Sequence, residues 1–364
     1  MRVALVHDWL TGMRGGEKVL EALAGIYPQA DIFTLVHVKG SVSPLIEARR
    51  IRTSFVQFLP ASGRLYRHYL PLFPMAVEQF DLDGYDLVIS SSHCAAKAAV
   101  PPGRARHLCY CHSPMRYAWD QFGEYFGAER TGRAGEGLLR PVMAWLARWD
   151  AATAPRVDRF LANSAFVASR IARYYARRAD VVYPPVDTEF FRPDGTDPVR
   201  SALVVSALVP YKRIDLAIEA CGRAGVPLRV IGDGPELPRL RKLAGAGVSF
   251  SGWISSEEIL AAYRQSGVVL LPGVEDFGIV PLEAQACGRP VVAVAEGGAL
   301  ETVVGGVTGT LVPGKSPDVW AEAIRGTLDA RLPAGPIRAH ALKFGRERFA
   351  QEIKAEVDRV LASS

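Results

Sequence analysis

Glu275 and Glu283 stand eight positions apart in the run Gly273-Val274-Glu275-Asp276-Phe277-Gly278-Ile279-Val280-Pro281-Leu282-Glu283. Two carboxylates at that spacing offer acceptors for the hydroxyls of a sugar, or an acid and a base for proton transfer. On one helix, eight steps of about 100° would leave them roughly 80° apart, off a common line. The apolar run 268–271 reads instead as a buried parallel strand. A helix-like run over 281–286 follows and stops at Gly288, with Pro281 suited to a first turn. Glu275 then belongs to the loop at a strand's C-terminal end, and Glu283 to the start of the next helix. That edge of a parallel sheet is where ligands bind in open α/β folds. Amides at the helix start would attract a phosphate or a developing anion, with the carboxylates holding hydroxyls on either side.

Other stretches fit an anionic ligand. Gly15 and Gly16 join a first strand to a first helix and would let backbone approach an anion. The pattern is neither G-x-G-x-x-G nor a P-loop, and a tight turn is the plainer alternative. Pro210-Tyr211-Lys212-Arg213 places two cations at a helix start, against the dipole, which points to an anion such as a diphosphate between them. A solvated basic turn is the alternative. Gly232 and Asp233, and Ser251-Gly252-Trp253-Ile254, sit at strand ends. Their backbone could read a nucleotide base, with Trp253 or Ile254 as an apolar wall; turn chemistry alone explains them equally well. His112 closes another strand, where it could donate to a sugar hydroxyl or steady a leaving phosphate, or be structural. Cys109 and Cys111 would need more ligands at suitable spacing to hold zinc, and with His107 and His112 beside them a metal site is the lesser alternative to a plain strand. Asp81-x-Asp83 reads as loop. Residues 138–149, with Arg140, Arg148 and two tryptophans, read as a buried helix with snorkelling arginines, or as one lying on a membrane surface.

The elements that must position these residues alternate strand and helix throughout. Strands are expected at 3–7, 87–90, 107–111, 160–163, 202–206, 228–231, 268–271 and 291–295. Helices are expected at 16–26, 135–154, 164–173 (capped by Asn163 or Ser164), 214–224, 257–265 (with a Ser255/Glu258 capping box), 316–324 and 339–361. A Pro- and Asp/Gly-rich stretch, 183–198, is the best boundary. A chain of 364 residues favours two domains, and 49% hydrophobic with 22% charged residues suits a folded protein. The net charge of +5 favours anionic partners, while no nucleic-acid-binding motif is present. No apolar run nears the roughly 20 residues that span a bilayer, and Met1–Val6 reads as a strand, so a cytoplasmic location is expected.

On these residues the chain resembles, over nearly its whole length, the retaining glycosyltransferases of family four, which have the GT-B fold. Glu275 to Glu283 is similar to the family's E-x7-E signature, Lys212 to its phosphate-binding lysine, Gly15-Gly16 to its diphosphate loop and His112 to its N-domain histidine. His7-Asp8-Trp9-Leu10, residues 111–117 and residues 205–213 resemble the branch of bacterial O-antigen and exopolysaccharide mannosyltransferases that use GDP-mannose. The resemblance implies α/β architecture with two Rossmann-like domains facing across a cleft: an acceptor domain over 1–183, a nucleotide-sugar domain over 184–345, and a helix over 346–364 crossing back to the first. It implies that Glu275 holds sugar hydroxyls and Glu283 the ribose. Amides around Asp276, Phe277, Gly278 and Ile279 would contact sugar and phosphate. Lys212, Arg213 and the Gly15-Gly16 amides would stabilise a departing diphosphate, with no metal or other cofactor. The acceptor, a saccharide or a lipid-linked one, would lie near Arg116, Tyr117 and Trp119, with peripheral contact at the inner membrane face. A nucleotide-sugar epimerase and a non-catalytic sugar-nucleotide binder are the alternatives. One position departs from the pattern: Ala207 stands where many members carry arginine.

Overall fold

The computed structural model describes residues 1–362, with backbone alone at 124 and 128–131. Met1–Pro185 with Phe349–Ser364 form one compact unit, and Val186–Arg348 a second.

The first unit is built on strands β1 (Val3–His7), β2 (Asp31–Thr34), β3 (Ile51–Thr53), β4 (Leu87–Ser92), β5 (Arg106–Cys111), β6 (Arg159–Ala162) and β7 (Ala179–Val181). They form a parallel sheet in the order β3-β2-β1-β4-β5-β6-β7. Both faces are covered, so β1 and β4 are buried at every residue and read as unbroken runs rather than alternating ones. Successive side chains still point to opposite layers. Val3, Leu5 and Ile89 pack with the helix Gly15–Ile26 and with Phe349, Ile353 and Val357 of the last helix. Ala4, Val6 and Val88 pack under Tyr66, Phe73, Met143 and Leu146 on the other side.

The second unit holds β8 (Val199–Val205), β9 (Leu228–Ile231), β10 (Val248–Phe250), β11 (Ser266–Leu271), β12 (Val291–Val294) and β13 (Gly309–Val312), all parallel, in the order β10-β9-β8-β11-β12-β13. Each sheet therefore reverses its strand order at one place, between β1 and β4 in the first and between β8 and β11 in the second. Loops leaving adjacent strands diverge there and leave a crevice at the C-terminal edge.

The two Rossmann-like units are those expected from the alternation, and the differences are local. Strands β2, β3, β7, β10 and β13 were not anticipated; they hold three or four residues each, and polar ones such as Arg52, Asp180 and Ser249 interrupt the apolar pattern. Ser164, not Asn163, caps the helix Ala165–Tyr175, accepting from the Val167 amide at 3.0 Å. The Ser255/Glu258 box is reciprocal, at 2.8 and 3.1 Å. Residues 339–361 do not form one helix. They divide into Ala334–Leu342 and Arg346–Ala362, because the Phe344 carbonyl accepts the Val186 amide (2.9 Å) in a short parallel bridge.

Candidate active site

In the second unit, every residue expected to bind a donor lies at the C-terminal edge of the sheet. Lys212 ends the short turn Pro210–Lys212 after β8, and Glu275 lies in the loop after β11; the two loops flank the crevice at the strand-order reversal. The Lys212 ammonium is ion-paired with Glu275 Oε1, and both side chains are largely but not fully buried. Gly273 permits this approach. A Cβ there would stand 2.5 Å from the Tyr211 carbonyl oxygen and 2.6 Å from Lys212 Cα, so the loops meet backbone to backbone. Gly297 and Gly298 support the loop from the other side, where the Gly298 amide donates to the Glu275 carbonyl at 2.9 Å.

Arg213 departs from the expected pair of free cations. It adopts φ 52°, ψ 42°, a left-handed conformation that a non-glycine residue holds only under constraint, and its Nε donates to Asp215 Oδ1 at 3.1 Å. Its charge is thus answered in the first turn of its own helix, and Lys212 is the cation set against Glu275. Ala207, exposed after β8, adds none.

Gly278 takes φ 87° as the N-cap of the helix Ile279–Ala286 and, as glycine, offers that helix no side-chain cap of its own. Asp276 and Phe277 are buried in the loop before it. Glu283 is 4% exposed and accepts a hydrogen bond from Tyr263 Oη at 3.0 Å. Burial, with the carboxylate beside it, drives the Tyr263 phenol far above its usual range, so it remains a donor. Gly232 and Gly234 let the turn after β9 lie against Ser206 and Leu208, and the Gly232 amide donates to the Gly252 carbonyl at 2.9 Å. Asp233 Oδ1 accepts the Gly234 amide at 2.7 Å. Trp253, beside this bridge, is 65% exposed, while Ile254 packs against the core.

In the first unit the sequence singled out Gly15, Gly16 and His112, and the structure places them around a cluster that the sequence did not reveal. His7 ends β1, Ser91 pairs beside it on β4, and His112 follows β5. Ser91 Oγ lies 3.1 Å from His7 Nδ1 and 2.8 Å from His112 Nε2. A hydroxyl has one proton, so at least one of the two rings must donate to it. Burial holds His7 down to about 4 and His112 well below the usual imidazole range, so both rings are neutral at pH 7. A Cβ on Gly16 would lie 3.4 Å from the His7 ring and 3.7 Å from His112 Nε2, whereas Gly15 faces open space.

Asp8 is fully buried and organises the loop after β4. Its two oxygens accept the amides of His93 (2.7 Å), Cys94 (3.0 Å), Ala95 (2.6 Å) and Ala96 (2.8 Å), and Nδ1 of His93 lies 3.0 Å away. Burial still raises its pKa. His93 is lowered to about 3, first by burial and then by the guanidiniums of Arg116, Arg67 and Arg14. Glu17, in the first turn of the helix after Gly15-Gly16, is pushed up to about 7 by burial.

Of the expected acceptor residues, two are committed elsewhere. Trp119 Nε1 donates to Asp150 Oδ2 at 2.7 Å and its ring stacks on Tyr174. Tyr117 Oη meets Cys94 Sγ at 2.6 Å. Arg116, half-buried, reaches Ser113 Oγ at 3.4 Å. Among the described residues no group of three or more His, Cys, Asp or Glu side chains is placed to hold a metal ion, and no helix is long and apolar enough to cross a membrane.

Comparison with known proteins agrees with this division. Residues 187–347 match the model of glycosyl transferases group 1, and residues 13–190 that of glycosyltransferase family 4. D-inositol 3-phosphate glycosyltransferase of Mycolicibacterium paratuberculosis is 32% identical over 234 residues, covering 56% of this chain and 53% of that protein. The namesake from Geodermatophilus obscurus is 36% identical over 233 residues, covering 54% of this chain and 52% of that protein. The chain thus spans about half the length of the curated relatives it matches. Among solved structures, Anabaena Alr3699/HepE in complex with UDP superposes with a TM-score of 0.74 at 19% identity, covering 99% of this chain and 100% of the other. Sucrose-phosphate synthase of Thermosynechococcus elongatus does so at 0.73 and 20%, covering 100% of both. With family models matching both units and this fold, the chain belongs to the GT-B glycosyltransferases of the group 1 and family 4 type.

Proposed function

We propose that the protein is a retaining hexosyltransferase that moves a sugar from a nucleotide diphosphate to the hydroxyl of a saccharide or lipid-linked acceptor in surface polysaccharide synthesis. The observation that carries this reading is the Lys212–Glu275 pair at the crevice of the second sheet, a cation and a carboxylate beside a helix start whose N-cap is a glycine. In the proposed reaction the bond from the anomeric carbon to the diphosphate breaks, and the acceptor oxygen bonds to that carbon on the same face. The acceptor proton passes to the departing phosphate oxygen. Lys212 and the first-turn amides of Ile279–Ala286 stabilise the charge that develops on the diphosphate, in place of a metal. Glu275 holds the sugar's hydroxyls, Glu283 the ribose, and Trp253 a face for the base. In the first unit, His112 and the amides of Gly15 and Gly16 are the groups offered to substrate, and Arg116 is the acceptor contact. GDP-mannose is the favoured donor, on the resemblance of residues 111–117 and 205–213 to mannosyltransferases. The UDP in the Anabaena structure makes a UDP-sugar the first competitor.

The test incubates the protein with GDP-mannose, UDP-glucose or UDP-N-acetylglucosamine, with inositol phosphate or lipid-linked saccharides as acceptor. Acceptor-dependent release of nucleoside diphosphate, with the anomeric configuration kept, is expected with one donor. Lys212→Ala and Glu275→Ala should each lower kcat by roughly 10²–10³-fold. Sugar isomerisation without acceptor, or binding without turnover, would reject transfer; undiminished rates in both variants would reject the site.

A further inference from the structure

The layer over the tyrosine and methionine side of the first sheet presents an apolar surface that is left exposed among the described residues. Two segments build it. One runs through the short helical turns Phe55–Phe58, Ser62–Leu65, Tyr66–Leu72 and Phe73–Glu78; the other is the helix Ala128–Ala152. Both bury their inner residues in the same cluster, Val56, Tyr66, Phe73, Met143 and Leu146 among them. An open groove of about 480 Å³ between Pro71, Met75 and Trp145 shows that they run side by side.

The outer residues of this layer are also apolar. Phe58 is 84% exposed, Leu138 72% and Trp145 45%, with Leu65 and Met75 nearly as open. Leu138, Pro141 and Trp145 recur at three- and four-residue steps, forming a stripe on the helix opposite buried Met143 and Leu146. A helix that is apolar on both faces has a second partner to find. The charges around it are mostly positive. Residues 54–77 contain no Asp or Glu, Glu78 beside the groove is ion-paired with Arg156, and 132–149 contain only Glu136, which is ion-paired with Arg140. Arg64, Arg67, Arg133, Arg140 and Arg148 are all exposed on the same two segments.

Protruding aromatic and aliphatic side chains among exposed arginines match the boundary of an anionic bilayer. Tryptophan rings prefer the headgroup level there, and guanidiniums pair with lipid phosphates. We propose that this face, assembled from residues 58–75 and 138–148, docks the protein onto an anionic phospholipid surface. A neutral protein partner would not call for the excess of positive charge, and a second copy of the same basic face would repel itself. The docking surface is built from residues of the first unit alone and the Lys212–Glu275 site from residues of the second, so the docking holds or fails independently of the transferase reading.

Co-sedimentation of the full chain with vesicles tests it. Vesicles of phosphatidylcholine with phosphatidylglycerol should pull the protein down, phosphatidylcholine alone should not, and added salt should weaken the binding. Arg64→Glu with Arg148→Glu should lower binding at least roughly twenty-fold, at about five-fold or more per reversed charge. Leu138→Ser with Trp145→Ser should lower it by a similar factor, although the charge is unchanged. Far-UV circular dichroism and a urea midpoint unchanged from the parent show that these surface variants are folded. The proposal is overturned by equal binding to neutral vesicles, by no binding to anionic ones, by variants that bind as the parent does, or by sedimentation showing that Trp145 mediates a dimer instead.

Discussion

Asp8 illustrates how much one side chain can hold. Four backbone amides and an imidazole Nδ1 converge on its two oxygens in a fully buried setting. Asp8→Asn keeps the shape but turns one acceptor into a donor facing N–H groups that cannot turn away. Each amide so orphaned costs about 1–3 kcal/mol, so a loss of roughly 2–5 kcal/mol is expected in urea unfolding, with packing unchanged. A loss below about 1 kcal/mol would mean that the charge is not what holds the 93–96 loop. Glu275, Lys212, Gly16 and His112 were legible because each stands in a local pattern of glycines, prolines and charge at a strand end. Asp8 and His93 were not legible as a pair. They lie 85 positions apart, and only the pairing of β1 with β4, His7 opposite Ser91, brings them together. The available signal was the run of small residues after Leu87–Ser92, which turns helical at once and points its amides back at whatever lies beside it.

At the scale of elements, the same limit separates the strands that were anticipated from those that were not. Central strands such as Val3–His7 and Val268–Leu271 are written in consecutive apolar residues, because helices cover both faces. Outer strands such as Ile51–Thr53 need only three residues, and their half-exposed side chains carry no period. The last helix was misread for a related reason. The apolar spacing continues across Lys343-Phe344-Gly345, but Gly345 is a poor helix former and the bond from the Val186 amide to the Phe344 carbonyl fixes the break there. Loop-to-loop contact is the element-level feature most open to test. Gly273→Ala would set a Cβ against Tyr211 and Lys212 backbone, which has no rotamer with which to yield. Displacing the Glu275 loop by even a few tenths of an ångström should reduce kcat/KM by roughly ten- to a hundred-fold and cost about 1–3 kcal/mol. Gly222→Ala is the contrast. Gly222 lies in the helix Ile214–Ala224 with nothing within 4 Å of the new methyl, so about 0.5–1 kcal/mol of stabilisation and an unchanged rate are expected. If both variants behave alike in activity and in melting temperature, the loop contact does not set the site.

For the whole molecule, the buried histidines of the first unit tie folding to pH. His7 and His107 are fully buried and lowered to about 4, and His112 lies well below its ordinary value. His107 Nδ1 lies 3.1 Å from the Arg156 carbonyl and so carries the proton, which leaves Nε2 to accept from Ser90 Oγ at 2.8 Å; the neutral ring is fully satisfied. Between about pH 6.5 and 4 the unfolded chain binds protons that these folded rings refuse, so stability is fully present above 6.5 and is lost as pH falls. By pH 5 each of His7 and His107 accounts for about 2 kcal/mol of that loss. Glu17 works the other way. With its folded pKa near 7, it contributes stability at low pH that is lost as pH rises from 4.5 through 7. Asp8, also raised, adds to that arm. The four lowered rings, His7, His93, His107 and His112, outweigh these two carboxyls over the pH 5–7 window, so the urea midpoint of the first unit should fall on going from pH 7.5 to 5. His107→Gln, remote from the proposed substrate groups, should flatten that slope by its own share whatever it does to stability at pH 7.5, and Glu17→Gln should steepen it. A midpoint that does not move between the two pH values, or a His107→Gln slope equal to the parent's, would show that these rings do not govern acid unfolding.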